Sequence, residues 1–438
     1  MTSKLDHELH VHLYGCLTAE DLWQLGKDAP KDPERLKYFV SEYEKAFQVT
    51  PEPLKFWSDG NNGLDLLRQH FEFIEPGPFA QFQAKFNLII ALFPIQPNNP
   101  SVLRAIMARH RAQGIKHVEY RCFIPPHFND HELAMYFQTF CEATREFVSE
   151  SSGAFDAQMA FSFPRNPELC WKFYTVLRKW LREHPKYYSA IAGIDFCHFE
   201  EGYPPALLRD FCLQVVRDNA ERPHEALAIL YHVGESFEGF SVMSSARWVW
   251  QAHAMGADRL GHAISLGVDP SIYLNKTVHE PISERRDHLY WLLAQEHWLK
   301  NFGHQVDGAA IKKELQALSS SDKHFVRLTY NPSVVEDCRS LQDAMMQDLA
   351  LKDAVVESCP TSNFRIGRIP SVEAHPLSRF VDSELDVCIS TDDPGIFAID
   401  LEHEESLCRG QFKLPESAIA QFAANASNYK SHSKRVKS

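Results

Sequence analysis

The stretch "ELHVHLYG", residues 8–15, alternates apolar and polar side chains and reads as a short β-strand. Alternation places His10, His12 and Tyr14 on one face, with Leu9, Val11 and Leu13 on the other. Seven further runs have the same β-like character: "HVEYRCFI" (117–124), "DAQMAFSFP" (156–164), "IAGIDFCHF" (191–199), "AILYHVGE" (228–235), "RLGHAI" (259–264), "VVESCPTSN" (355–363) and "DVCISTDDP" (386–394). Helical patterns lie between most of them. Two examples, "SVLRAIMARHRAQG" (101–114) and "FSVMSSARWVWQAHAMG" (240–256), end in Gly114 and Gly256, residues suited to stopping a helix. Strand, helix, strand with short loops predicts an α/β protein with a parallel sheet, and eight strands is the count of a (β/α)8 TIM barrel.

Such a barrel takes about 250 residues, so a chain of 438 carries large additions to what reads as one domain over residues 1–438. One is a helical N-terminal elaboration over about 18–86, rich in Pro and aromatics. The other is an insertion before strand seven, over about 270–350. Its "HLYWLLAQEHWLKNF" (288–302) and "SLQDAMMQDLALKDA" (340–354) have helical spacing, and it reads as a packed elaboration or a homo-oligomer contact. The tail "KSHSKRVKS" (430–438) is basic and polar, and reads as a frayed end. The net charge of −13 argues against a nucleic-acid partner, and no apolar run is long enough to span a bilayer. The polar "MTSKLDHELH" lacks the order of a signal peptide, and ten cysteines without a C-x-x-C pair read as reduced, mostly buried thiols. These features predict a cytoplasmic protein with a small-molecule ligand.

Catalytic residues of such barrels sit at the C-terminal ends of the strands. With 22 histidines in the chain, a single His-x-His pair is a chance-level motif. Four strand ends together deliver much more: His10 and His12, then His232 and Glu235 in "HVGE", His262 in "RLGHAI", and Asp392 and Asp393 in "STDDP". A catalytic zinc needs three or four N/O ligands and one open position, which His10, His12, His232 and Asp392 would supply. Zinc so held makes a nucleophile of water near neutral pH. Glu235, past a Gly from His232, suits a general acid-base role; His262 can orient the attacking water, and Asp393 can accept a hydrogen bond from substrate. Strand four, "IAGIDFCHF", has no Lys of the kind that bridges two metals, so one zinc or similar divalent ion per chain is expected. The other zinc deaminase pattern, H-x-E with P-C-x-x-C, is absent, because Cys359-Pro360 is followed by Thr-Ser-Asn.

In order and spacing "ELHVHLYG", "HVGE", "RLGHAI", "ESCPTSNFRIG" and "STDDPGIF" resemble the motifs of the adenosine/adenine/AMP deaminase family. "FQAKF" (82–86), "HVEYRCFIP" (117–125), "FSFPR" (161–165), "GIDF" (193–196) and "FAANASNYKS" (422–431) add to the likeness. The resemblance covers residues 8 to about 431 apart from the two elaborated segments. It implies a TIM barrel with one zinc that hydrolytically deaminates a 6-aminopurine at C6. His10, His12, His232 and Asp392 would be ligands and Glu235 the proton donor to N1. His262 would polarise the water, and Asp393 would face N7. Two positions depart from the pattern. Adenosine deaminases read H-x-H-L-D-G, with the Asp on the ribose, where this chain has Tyr14. They also carry a Gly near the purine in a motif like "DLAGDE", where "DFCHFEE" places His198. Tyr14 and His198 are therefore expected to reshape the substrate side. An adenosine-like substrate is favoured; adenine, an N6-substituted or phosphorylated adenosine, or another amino-heterocycle is the alternative. From other classes, a metallohydrolase of a different C–N bond and a non-catalytic binding barrel are the competing readings.

Overall fold

The computed structural model describes residues 4–28, 33–58, 61–92 and 100–431. Ten strands occur in it: β1 (His7–His12), β2 (His117–Phe123), β3 (Asp156–Ser162), β4 (Ile191–Phe196), β5 (Ala228–Val233), β6 (Arg259–His262), β7 (Thr277–Pro281), β8 (Phe325–Thr329), β9 (Val355–Ser358) and β10 (Asp386–Ile389). Eight form one parallel sheet in the order β1-β2-β3-β4-β5-β6-β9-β10. These are the eight runs read from the sequence. The sheet closes on itself where Val11 pairs with Asp392. There His12 N donates to Asp392 O at 2.8 Å, and Asp392 N donates to His10 O at 3.1 Å. The seam of the barrel thus lies at two histidines and an aspartate of the expected site.

Helices cover the outside. Asp130–Glu150, Pro167–Glu183, Arg209–Glu221, Val242–Ala254 and Pro332–Ala350 fill successive strand connections, and Glu416–Tyr429 lies over β10 and β1. Several begin as their sequences dictate. Asn166 and Asn331 each precede a Pro and accept from the amides of Leu169 and Val334, satisfying donors that the first turn leaves unpaired. Gly114 and Gly256 sit at φ +83° and +100°, the left-handed conformation that ends a helix.

The barrel interior is polar rather than filled with branched aliphatics. Glu119, Arg121, Asp195, Arg259 and Glu357 are all buried there and neutralise one another. Small residues make room for them. A side chain at Gly261 would meet the ring of His10 at 2.8 Å.

The N-terminal elaboration is helical, with Ala19–Asp28, Pro33–Phe47, Asn61–Phe71 and Phe79–Leu92. The insertion holds helices Ile282–Asn301 and Gly308–Ser319, but also an antiparallel hairpin of β7 and β8 that the helical reading of 270–350 does not contain. Helix Pro332–Ala350, inside that range, packs on Val242–Ala254 as a regular barrel helix, so the added segment ends near residue 331. Of the tail, Ser431 is buried and donates to Glu119 from its amide and hydroxyl; residues 432–438 lie outside the described ones. Nine of the ten cysteines are buried and all are free thiols. No helix among the described residues is long and apolar enough to cross a membrane.

Candidate active site

Seven of the side chains singled out by sequence converge at the C-terminal mouth. His12 Nε2 stands 3.1 Å from His232 Nε2 and 3.2 Å from Asp392 Oδ1, and His10 Nε2 is 3.6 Å from the same oxygen. Ligands held tetrahedrally at 2.0–2.2 Å from an ion are roughly 3.3–3.6 Å apart, close to these three spacings, although His12 does not fall into one ion-sized group with His10 and His232. His10 Nε2 and Asp392 Oδ1 are buried with no hydrogen-bond partner among the described residues, as donors kept for a metal should be. Burial, with Arg121 adding its charge, holds the His10 imidazole well below its usual pKa. Burial likewise pushes His232 down to about 4 against the pull of Asp195. Both rings are neutral, as ligation requires. His10, His232, His262 and Asp392 form one group able to hold an ion, and His12, Asp392 and Asp393 form another that shares Asp392.

A network beneath these side chains fixes which histidine nitrogen faces the mouth. His10 Nδ1 donates to Glu357 at 2.9 Å, and His232 Nδ1 lies 3.0 Å from Asp195. Arg121 joins the two carboxylates, with Nη1 on Asp195 at 2.8 Å and Nη2 on Glu357. Arg259 donates to Glu357 at 2.7 Å, and Ser162 to Asp195 at 2.6 Å. Burial alone would raise the Asp195 carboxyl; His232 and Arg121 outweigh it and hold that pKa well below the usual range. Carboxylates behind ligating histidines orient the rings and raise their basicity. Sequence reasoning gave Arg121, Asp195 and Glu357 no role. Their one signal is that each is a charged residue inside a β-like run, which does not name its partner.

Glu235 and His262 stand beside this cluster. Glu235 Oε1 is 3.6 Å from His262 Nε2, whose other nitrogen pairs with Asn363 Oδ1 at 3.1 Å. Burial pushes the Glu235 carboxyl up to about 7; Asp392 and Glu200 add to this, and His262 opposes. Glu200, also unassigned by sequence, accepts from the amides of Gly234, Glu235 and Ser236 at 2.7, 2.8 and 3.2 Å, and so sets the turn that aims Glu235. His262 and Asp392 both adopt positive φ, +62° and +63°, a strain that clusters at functional sites.

These groups open on a cavity of about 150 Å³. Asp393, Glu235, Asp392, His12, His232 and His198 supply its polar side, and Phe79, Phe82 and Phe86 of the N-terminal elaboration face them. Burial, with Asp392 and Glu235 adding, raises the Asp393 carboxyl well above its usual range. It packs directly on Gly15, where a Cβ would collide with it. His198, at φ +80°, also lines the cavity. Tyr14 does not. The strand ends at His12 and a 3-10 turn covers Tyr14–Cys16, so alternation stops before the tyrosine. Its ring is buried in the core, and its hydroxyl lies 3.1 Å from that of Tyr136. Tyr14 thus lies behind the residues that line the cavity.

Fold and site together define a (β/α)8 barrel with a histidine–carboxylate cluster at its catalytic mouth. Residues 319–437 match the family model described as adenosine deaminase. Among curated relatives, the adenosine deaminase of Shewanella loihica is 35% identical over 81 residues, 18% of this chain and 24% of that protein. The adenosine deaminase of Aliivibrio fischeri is 32% identical over 100 residues, 23% of this chain and 28% of that protein. The matched part of the chain therefore spans about a quarter of these relatives' length. By structure, the chain is similar to an adenine deaminase from Arthrobacter aurescens, with TM-score 0.57, 16% identity and coverage of 98% and 94% of the two chains. It is also similar to the arabidopsis N6-mAMP deaminase, with TM-score 0.54, 15% identity and 98% and 94% coverage. A third likeness is to an amidohydrolase from Burkholderia ambifaria with bound Zn, with TM-score 0.51, 15% identity and 97% and 85% coverage. In sequence over part of its length, and in fold over nearly all of it, the chain is thus similar to adenosine deaminase-like proteins.

Proposed function

We propose that the protein is a zinc-dependent hydrolytic deaminase of a 6-aminopurine, with an adenosine-like compound as substrate. The observation that carries this reading is the position of Glu235. It is a buried carboxyl with a pKa near 7, beside His262 and the ligand cluster, on the wall of a cavity with aromatic side chains opposite. His10, His12, His232 and Asp392 would hold one zinc, which when bound supplies an activated water.

The chain's own groups account for the remaining chemistry. Asp393 hydrogen-bonds the purine edge, its buried carboxyl able to donate to a ring nitrogen, and with the phenylalanines of Phe79–Leu92 orients the ring. Water oxygen adds to the ring carbon bearing the amino group while Glu235 gives its proton to the adjacent ring nitrogen. His262, with Asp392 beside it, takes the proton that water loses. The exocyclic C–N bond then breaks, that proton is passed to the departing nitrogen, the proton of the new hydroxyl returns to Glu235 as the carbonyl forms, and ammonia leaves; the balance is one water for one ammonia. Since all these groups are buried and fixed before substrate arrives, little reorganisation opposes the reaction.

Ammonia release from adenosine, adenine, AMP and N6-methylated purines by the zinc-loaded protein tests the reading. Turnover of at least one of them is expected. Silence across the set with zinc bound overturns it in favour of another C–N hydrolase or a binding barrel.

A further inference from the structure

A second cavity, of about 520 Å³, opens at the same mouth, and Glu235 lines both it and the reaction cavity. Its far wall is formed by β7 and by Tyr330, which follows β8, the antiparallel partner of β7 in the hairpin of the insertion. That hairpin is stitched to the segment following Glu235. Glu280 accepts from Ser241 N and Oγ, both at 2.9 Å, and Tyr330 OH accepts from Val242 N at 2.8 Å. The inserted segment is therefore held in register with the catalytic acid, which a mere surface decoration would not need.

Two rings tilted by 35°, Tyr273 and Tyr330, lie 5.5 Å apart at this wall. Around them stand Lys276, His279 and Arg368, with the carboxylates of Glu235 and Glu238 on the same lining. Lys276 Nζ is 5.5 Å from the Tyr273 ring centre. Arg368 is paired with Glu238 at 2.7 Å, and both partners are about half exposed, so an incoming anion can compete for the guanidinium at little cost. Arg368 itself and Asn275, next to Lys276, adopt φ of +50° and +65°, a strain that non-glycine residues adopt sparingly and that gathers at ligand clamps. The reaction cavity, at about 150 Å³, is smaller than the range usual for small-molecule sites, so a substrate larger than a base must continue beyond it.

We propose that this groove binds an anion-bearing extension of the substrate, a phosphate or carboxylate held by Lys276 and Arg368 with its linker against Tyr273 and Tyr330. The proposal rests on the deaminase reading, and its test separates the two. Zinc-loaded protein is assayed, by loss of the aminopurine absorbance, on adenosine, AMP and N6-carboxymethyladenosine. AMP carries its anion through the sugar, and N6-carboxymethyladenosine through the amino nitrogen, so the one favoured identifies the source. At least one anionic substrate should have a KM about tenfold below that of adenosine. The double variant Lys276→Ala/Arg368→Ala should raise the ratio of that KM to the adenosine KM about tenfold, with kcat changing less than about threefold. A ratio that does not move, or equal changes for neutral and anionic substrates, overturns the proposal. If none of the three is turned over, the deaminase reading fails for them, and calorimetric titration of AMP and N6-carboxymethyladenosine decides the groove. Binding that the double variant loses sustains an anion site; no binding, or binding indifferent to the substitutions, overturns it.

Discussion

The two sides of the barrel mouth are built differently. On the side of β1, β5 and β10, each side chain of the histidine–aspartate cluster but His12 is buried, and behind His10 and His232 stand carboxylates that are themselves neutralised by Arg121. On the other side, the basic groups of the groove are exposed and belong to an inserted hairpin and a loop. Buried, mutually satisfied charges hold reacting groups within a fraction of an ångström, and a flexible rim can change partners without disturbing them. The division suggests where each property can be altered alone: chemistry in the interior network, preference for substrate at the hairpin.

The largest expected effect is on the catalytic acid. Glu235→Gln keeps the shape and the hydrogen-bonding turn but cannot deliver a proton, so turnover should fall by about 10²–10⁴-fold with zinc content unchanged. Metal analysis beside a rate assay checks both; a variant of near-normal rate removes Glu235 from its role and with it the distinction drawn between the two sides. Next comes the layer beneath the ligands. Asp195→Asn and Glu357→Gln each leave a histidine without its orienting anion and Arg121 with one partner fewer, so zinc affinity should drop by about 10–100-fold, measured by competition with a chelator. An unchanged affinity would mean that the network serves only folding.

A third effect concerns stability and pH, and it too belongs to the interior side. Glu404 is buried under the β9 end and accepts from Thr361 N; burial pushes its carboxyl up to about 8. The unfolded chain ionises near 4.5, so the folded state binds the proton more tightly, and stability falls as pH rises from about 4.5 towards 8. Glu404→Gln, which stays neutral, should stabilise the protein by on the order of 2–4 kcal/mol at pH 8 and make little difference at pH 4.5, read from urea midpoints at the two pH values. Equal midpoint shifts at both would show that ionisation is not the cause.

How far the sequence could be read follows from the same contrast. The eight barrel strands were legible because each is short, apolar on its outer face and bounded by helical patterns. His10, His12, His232, His262, Asp392 and Asp393 were legible because the chemistry of a barrel sits at strand ends. Arg121, Asp195 and Glu357 were not, since a lone charge in a strand gives no indication of which distant charge it meets. The hairpin β7–β8 escaped because its strands are 43 residues apart, between Pro281 and Phe325, with two helices intervening, and no local pattern pairs them. Tyr14 failed for a simpler reason. Period-two alternation holds only while the backbone stays extended, and here the chain turns at Leu13, whose φ and ψ are −53° and −47°.

The smallest effect tests that last point. Tyr14→Phe removes the hydroxyl that lies 3.1 Å from Tyr136 OH, while Tyr136 keeps its own bond to Phe123 O at 2.6 Å. The lost buried contact should cost about 1 kcal/mol of stability. Since the ring stays in the core and does not line the reaction cavity, KM and kcat should each change by less than about threefold. A tenfold rise in KM with normal folding would place Tyr14 against the substrate after all, and would return to the β1 turn a share of the specificity assigned here to the opposite rim.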